Sequence, residues 1–275
     1  VGVRSMKPFL KWAGGKMRLV ARLQEALPPG RRLIEPFVGS GAVFLNTGYP
    51  TYLLNDLNAD LIHLYIELRQ NREALIGGAR AFFEPEFNNA SVYYELRSRF
   101  NTSTDKFERA CIFVYLNKHG FNGLCRYNAQ GGFNVPFGRN AMPRFPEVEM
   151  RAFSDRSGLA EFDNVDFRDI FARAERGDVV YCDPPYAPLS STANFTSYGA
   201  GAFGPNEQQA LAMCAIAAAK RGITTVISNH NTHYTRSLYS DAQGIEYFDV
   251  ERRISCDAAN RSRAAELLAV YEGKQ

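Results

Sequence analysis

The stretch RRLIEPFVGSGAVFLN, residues 31–46, decides the fold. Leu33 and Ile34 make a short apolar run, Gly39 and Gly41 make a tight turn, and Ala42, Val43, Phe44 and Leu45 open a helix. The next stretch, TYLLNDLNADLIHLYIEL (51–68), repeats the alternation. Its strand, Tyr52 to Leu54, ends in polar Asn55 and Asp56, and its helix carries Leu61, Ile62, Leu64, Tyr65 and Leu68. Strand, helix, strand begins a parallel α/β sheet.

The pattern returns late in the chain. DVVYCDPPY (178–186) is an apolar strand stopped by two prolines, and PNEQQALAMCAIAAAKRG (205–222) is a helix with Pro205 near its start and Gly222 as its C-cap. ITTVISN (223–229) is a β-branched strand, and IEYFDVERRIS and AELLAVYEG read as two closing strands around a basic loop. The middle breaks the alternation. YYELRSRFN and KFERACIFVYLNKHG predict helices, and FNGLCRYNAQGGFNVPFGR (121–139) predicts a hairpin, with Asn and Gly at both turns.

The chain has 275 residues, 45% of them hydrophobic, which is an ordinary globular composition and excludes global disorder. No apolar run approaches the ~18 residues needed to span a bilayer. VGVRSMKPFLKWAGGK has no apolar stretch suited to a signal peptide, so a cytoplasmic, non-membrane protein is expected. Five dispersed cysteines form no C-x-x-C pair, and four histidines form no spaced set with acids. Free thiols and no bound metal are expected.

The net charge of +3 hides a segregation. Residues 1–22 hold six basic residues (Arg4, Lys7, Lys11, Lys16, Arg18, Arg22) and no acid. Residues 117–145 hold Lys118, Arg126, Arg139 and Arg144 and no acid. Residues 252–263 hold Arg252, Arg253, Arg261 and Arg263 against Asp257 alone. Positive charge gathered this way suits a polyanionic partner, although solvated surface would look the same.

Three motifs carry chemistry. Glycines at 39 and 41 let the backbone approach a ligand, and Asp56 stands where a carboxylate meets ribose hydroxyls. The dinucleotide fingerprint has a third glycine where this chain has Phe44, which argues against NAD. A plain glycine turn with an Asx cap would contain the same residues. Asp183-Pro184-Pro185-Tyr186 offers a carboxylate, carbonyl acceptors and an aromatic face in one stiff loop, which suits a planar group bearing an exocyclic amine. Phe9-Leu-Lys-Trp-Ala-Gly-Gly-Lys16 places the single tryptophan in the most basic stretch.

In order, KWAGGK, EPFVGSGAVF, NDLN, NGLCRYN, FNVPFGR, DPPYAPLS and the late RRIS…RSR resemble the DNA adenine methyltransferase (Dam) family, over nearly the whole chain. The resemblance implies an α/β, Rossmann-like S-adenosylmethionine-dependent methyltransferase sheet with an inserted, mostly helical target-recognition domain bearing a β-hairpin. Residues 1–57 and 151–275 would form the catalytic domain and 58–150 the insertion. The activity implied is transfer of a methyl group from S-adenosylmethionine to the N6 amine of a flipped-out adenine in duplex DNA, within GATC. S-adenosylhomocysteine would be the product, and no metal would take part. A monomer associated with the nucleoid is expected. Enzymes of this type serve DNA replication and mismatch repair, restriction–modification, or phages.

Carried onto this chain, the family's cofactor contacts fall on Trp12, Lys16, Phe37, Gly39, Gly41, Asp56, Asp166, Phe167 and Asp183. The catalytic loop is Asp183, Pro184, Pro185 and Tyr186. Arg126 would read a guanine, Phe121 would wedge beside the flipped base, and Asn122 and Leu124 would touch bases. Lys11 would contact the outer guanine, Pro136 would lie near a thymine, and Arg139, Arg252, Arg261 and Arg263 would hold phosphates. Asn140 stands where the family often has Tyr, so no base contact is assigned to it. Hydrogen bonds from the adenine amine to the Asp183 carboxylate and the Pro184 carbonyl would localise the nitrogen lone pair toward the methyl group. Two other readings remain open on residues alone: a protein glutamine-amide methyltransferase with the same acceptor loop, and a DNA-binding module without catalysis.

Overall fold

The computed structural model describes residues 5–138, 141–188, 203–251 and 263–274, with the backbone alone at 251, 263 and 264. In chain order the strands are β1 (Arg32–Glu35), β2 (Thr51–Asn55), β3 (Ala160–Asp163), β4 (Asp178–Cys182), β5 (Thr224–His230), β6 (Gly244–Glu251) and β7 (Arg263–Tyr271). The α-helices are α1 (Val20–Ala26), α2 (Ala42–Asn46), α3 (Ala59–Gln70), α4 (Arg72–Arg80), α5 (Ala90–Thr102), α6 (Lys106–His119), α7 (Glu147–Ser157), α8 (Phe167–Ala172), α9 (Pro205–Lys220) and α10 (His233–Leu238). The chain divides into two compact units. One takes the described residues among 5–24 and 38–164, and the other takes 25–37 and those from 165 onward.

In the first unit, β2 and β3 pair in parallel. Helices α3, α5 and α6 each start on a side-chain cap. Asn58 accepts from Leu61 N (3.1 Å), Asn89 from Val92 N (3.0 Å), and Asp105 from the N–H groups of Phe107 and Glu108. Such caps satisfy N–H groups that a helix start leaves orphaned, and each contributes about 1 kcal/mol. Helix α6 is buried nearly all round from Ala110 to Asn117 and packs against α3, α4 and α5, which makes it the axis of this unit. The hairpin expected over 121–139 is a loop closed by two isolated antiparallel bridges, Gly120–Phe137 and Tyr127–Phe133.

The end of α6 carries a pH-sensitive group. His119 is 1% exposed, its ring stacks on Tyr115 at 4.1 Å, and Phe83 meets it edge-on at 5.0 Å. The Tyr115 carbonyl can only accept, so Nδ1, 3.1 Å away, carries the proton, and the buried Nε2 has no partner among the described residues. Burial first, then the nearby Lys11, push this imidazole down to about 4, against the Tyr115 hydrogen bond. An unfolded His takes up a proton near pH 6.5, and the folded one does so only near pH 4. Between those values the unfolded chain binds more protons, so stability falls on acidification, by up to about 3 kcal/mol. Urea midpoints at pH 7 and pH 4.5 should differ less in His119→Phe than in the parent; an equal difference would remove His119 from the account.

In the second unit the order is β1-β4-β5-β7-β6, with β1, β4 and β5 parallel and β7 antiparallel to both β5 and β6. Strand β4 is buried at all five positions, as befits a parallel strand covered on both faces. The alanines of α9 let that helix pack closely on β5, β7 and α8. Because β1 and β4 run in parallel register, Phe37 and Asp183 emerge at the same carboxyl end, where open α/β sheets bind their ligands. No helix among the described residues is long and apolar enough to cross a membrane.

Candidate active site and nucleic-acid interface

The glycine turn and Asp56 lie together in the first unit. Asp56 directly follows β2, and its two carboxylate oxygens accept from Gly39 N and Asn58 N, each at 3.0 Å. Burial nevertheless holds its carboxyl above the usual range, because those two N–H groups offset the desolvation only in part. A carboxylate in that state accommodates further donors, such as ribose hydroxyls. Gly39 has φ +49°, and a Cβ there would stand 2.8 Å from the Trp12 indole, so glycine is required on both counts. Its carbonyl accepts from the Tyr65 hydroxyl at 2.5 Å, which holds the turn from behind. Gly41 precedes α2. Lys16 is 6% exposed and donates from Nζ to the Gly14 carbonyl at 2.6 Å. An open cleft of ≈ 350 Å³ is lined by Lys7, Pro8, Leu10, Trp12, Gly15, Met17 and Ser40. These residues fit a nucleoside bearing a charged tail: acceptors for hydroxyls, an indole, and a glycine backbone that admits close approach.

The same unit holds the 120–138 loop, braced by three asparagines that carry no local signal in the sequence. Asn117, 1% exposed in α6, accepts from Lys11 N (2.9 Å) and donates to the Lys11 carbonyl (2.7 Å), and so fixes the backbone of a residue 106 positions away. Gly123 has φ +63°, and a Cβ there would lie 2.4 Å from the Lys11 side chain, so the loop lies directly on that lysine. Phe121 is 43% exposed, Asn122 is exposed with φ +53°, and Leu124 and Arg126 are half-buried. Phe121 N donates to the carbonyl of exposed Pro136 at 2.9 Å. Asn134 braces Arg126: its Oδ1 accepts from Nε at 2.8 Å and its carbonyl from Nη2 at 3.3 Å. Asn58 donates to Cys125 Sγ at 3.2 Å, and the Tyr127 hydroxyl donates to Asp60, which Arg109 pairs at 2.5 Å. Asn58 therefore touches both the Asp56 carboxylate and the residue before Arg126.

In the second unit, Asp183 leaves β4 half-buried, with Oδ1 accepting from Ser228 Oγ at 3.1 Å. Pro184 is buried and Pro185 exposed. The Tyr186 hydroxyl donates to Glu266 Oε2 at 3.1 Å, and its ring meets His230 edge-on at 4.7 Å. Burial keeps that hydroxyl far above the ordinary tyrosine range, so it stays a neutral donor. Asp166 caps α8 by accepting from Arg168 N at 2.8 Å, and its carboxylate pairs with the Arg168 guanidinium. Phe167 is buried against Phe37 (5.7 Å), and Phe203 completes a cluster of three rings. Phe203, Glu266 and Ser228 carried no local signal, since each joins the site only through packing.

Arg139, Arg252 and Arg261, assigned above to phosphates, lie outside the described residues, as does the side chain of Arg263. Cys111, Cys125, Cys182 and Cys214 are free thiols. Among the described residues no His, Cys, Asp and Glu group is arranged to hold a metal ion.

Residues 12–254 match the D12 class N6 adenine-specific DNA methyltransferase family. The chain belongs to that family. It is a methyltransferase that modifies adenine in DNA and uses S-adenosylmethionine. The DNA adenine methylase of Vibrio cholerae serotype O1 is 49% identical over 270 residues, covering 98% of this chain and 97% of the relative. That of Serratia marcescens is 48% identical, covering 98% and 100%. That of Escherichia coli K12 is 47% identical, covering 98% and 97%. Membership closes the protein-amide and non-catalytic readings.

Proposed function

We propose that the methyltransferase acts as a monomer on GATC in duplex DNA associated with the nucleoid, and that it methylates N6 of an adenine flipped out of the stack. The observation that carries the DNA reading is the seating of the 120–138 loop on Lys11, through Asn117 and Gly123, which presents Phe121, Asn122 and Arg126 from one element. A base inside the helix is out of reach of an enzyme's groups, so extrusion is required, at a cost of about a few kcal/mol. Phe121 would fill the gap, and Arg126 would pair with guanine O6 and N7. Residues 1–57 and 151–275 would serve the chemistry and 58–150 the DNA.

Trp12, Lys16, Gly39, Gly41 and Asp56, with Phe37, Asp166 and Phe167, would hold S-adenosylmethionine, which supplies an electrophilic methyl on a sulfonium. The remaining chemistry belongs to the chain. The Asp183 carboxylate and Pro184 carbonyl accept from the two amine N–H groups, which favours a tetrahedral nitrogen with its lone pair localised. Tyr186, fixed through Glu266, supplies a stacking face. Lys11, Arg139, Arg252, Arg261 and Arg263 would make the affinity strongly salt-dependent. Sequencing a methylated plasmid with a readout for N6-methyladenine tests this proposal. Modification confined to GATC is expected, and a different site would replace it.

A further inference from the structure

We propose that Asn229, at the carboxyl end of β5, is a positioning residue for methyl transfer: its carboxamide sets the backbone on both sides of Tyr186. The proposal rests on the reading of residues 183–186 as the loop that receives the target amine. Two prolines remove two of the four backbone donors of residues 183–186, which breaks an ordinary ladder. It is held from outside by side chains. Asn229 Oδ1 accepts from Ala187 N at 3.0 Å and from His230 N at 2.9 Å. Asn229 Nδ2 donates to Gln208 Oε1 and to the Tyr239 hydroxyl, each at 3.0 Å. The Tyr239 hydroxyl donates onward to Gln208 Oε1 at 3.3 Å, and Gln208 Nε2 donates to the Pro185 carbonyl at 2.8 Å. His230 Nδ1 closes the clamp on the Ala187 carbonyl at 2.7 Å.

Asn229, Gln208 and Tyr239 are all 0% exposed. Every donor and acceptor of the Asn229 carboxamide is used. The direction of the chain of bonds is fixed at its ends, because Ala187 N–H can only donate and the Pro185 carbonyl can only accept. Neither amide can turn over without setting like against like at one end. The peptide groups before and after Tyr186 are thereby fixed, and with them the loop that carries Asp183 at its start. Catalysis by alignment is sensitive to such placement, since a shift of about 1 Å can cost about 10²-fold in rate.

The discriminating variant is Asn229→Asp, which keeps shape and oxygen but turns both Nδ2 donors into an acceptor. With full-length enzyme and a GATC duplex, kcat should fall about 10²-fold, while KM for DNA and the Kd for S-adenosylmethionine stay within about threefold. The loss should shrink as the pH is lowered, because the protonated acid regains one donor toward Gln208. Tyr239→Phe removes only the hydroxyl relay and should lower kcat several-fold with the same unchanged binding; it decides the matter if Asn229→Asp does not fold. A kcat within twofold of the parent in the folded variants, or a change confined to KM, overturns the proposal. Asp183→Ala is assayed beside them. If it is inactive while Asn229→Asp is not, only this inference fails; if it is active, the reading of the loop itself fails.

Discussion

Asp183→Ala should lose methyl transfer by about 10³-fold or more in kcat, yet still bind duplex DNA with nearly the parent affinity. The carboxylate is the strongest acceptor in the 183–186 loop, and Ser228 Oγ at 3.1 Å orients it by donating to Oδ1. Alanine leaves the target amine with only carbonyl acceptors, so its lone pair stays delocalised into the ring and its nitrogen stays planar. The prolines, the Asn229 clamp and the Tyr186–Glu266 bond do not involve the Asp183 side chain, so the loop should keep its shape. Radiolabelled methyl transfer set beside fluorescence anisotropy of a labelled duplex separates chemistry from binding. Near-parental turnover would remove the carboxylate from the mechanism.

Arg126→Ala should relax specificity at a single base pair, costing about 1–3 kcal/mol of discrimination, or roughly 5- to 150-fold in relative rate. The guanidinium is held along its Nε edge by Asn134, at 2.8 Å to Oδ1 and 3.3 Å from Nη2 to the carbonyl. A fork braced on one side is preorganised for a bidentate acceptor pair on the other, with less rotamer entropy left to lose on binding. Lysine has neither the fork nor an Nε donor for Asn134, so Arg126→Lys should behave much like alanine. Methylation rates on duplexes altered at each position of GATC give the measurement. A profile unchanged at every position would move the guanine reader to another residue.

Wherever backbone chemistry alone dictates structure, the residues could be read in order. Gly39 is needed for its positive φ, the prolines of 183–186 stiffen their loop, and the apolar periodicity of α3 and α9 matches the helices observed. Strand β3, Ala-Glu-Phe-Asp, alternates apolar and polar residues over only four positions and has no β-branched residue, so its local strand signal is weak. Helix α8 is six residues long, and Asp166, which the family resemblance assigns to the cofactor, also serves as its cap.

The sequence by itself determined the α/β class, the order of the motifs, and the segregation of charge beneath a net +3. These are properties of local covalent geometry and composition, and they survive without a fold. Only the tertiary structure decided which residues hold the functional ones in place. Asn117 grips Lys11 from 106 positions away, Asn58 reaches Cys125 across 67, and Asn229 reaches Ala187 across 42. In a sequence an asparagine looks like surface. Burial reverses its meaning, because a carboxamide removed from water must satisfy its donors and acceptors: Asn117 does so on the Lys11 backbone, and Asn229 on Ala187 N and His230 N and on the Gln208 and Tyr239 side chains.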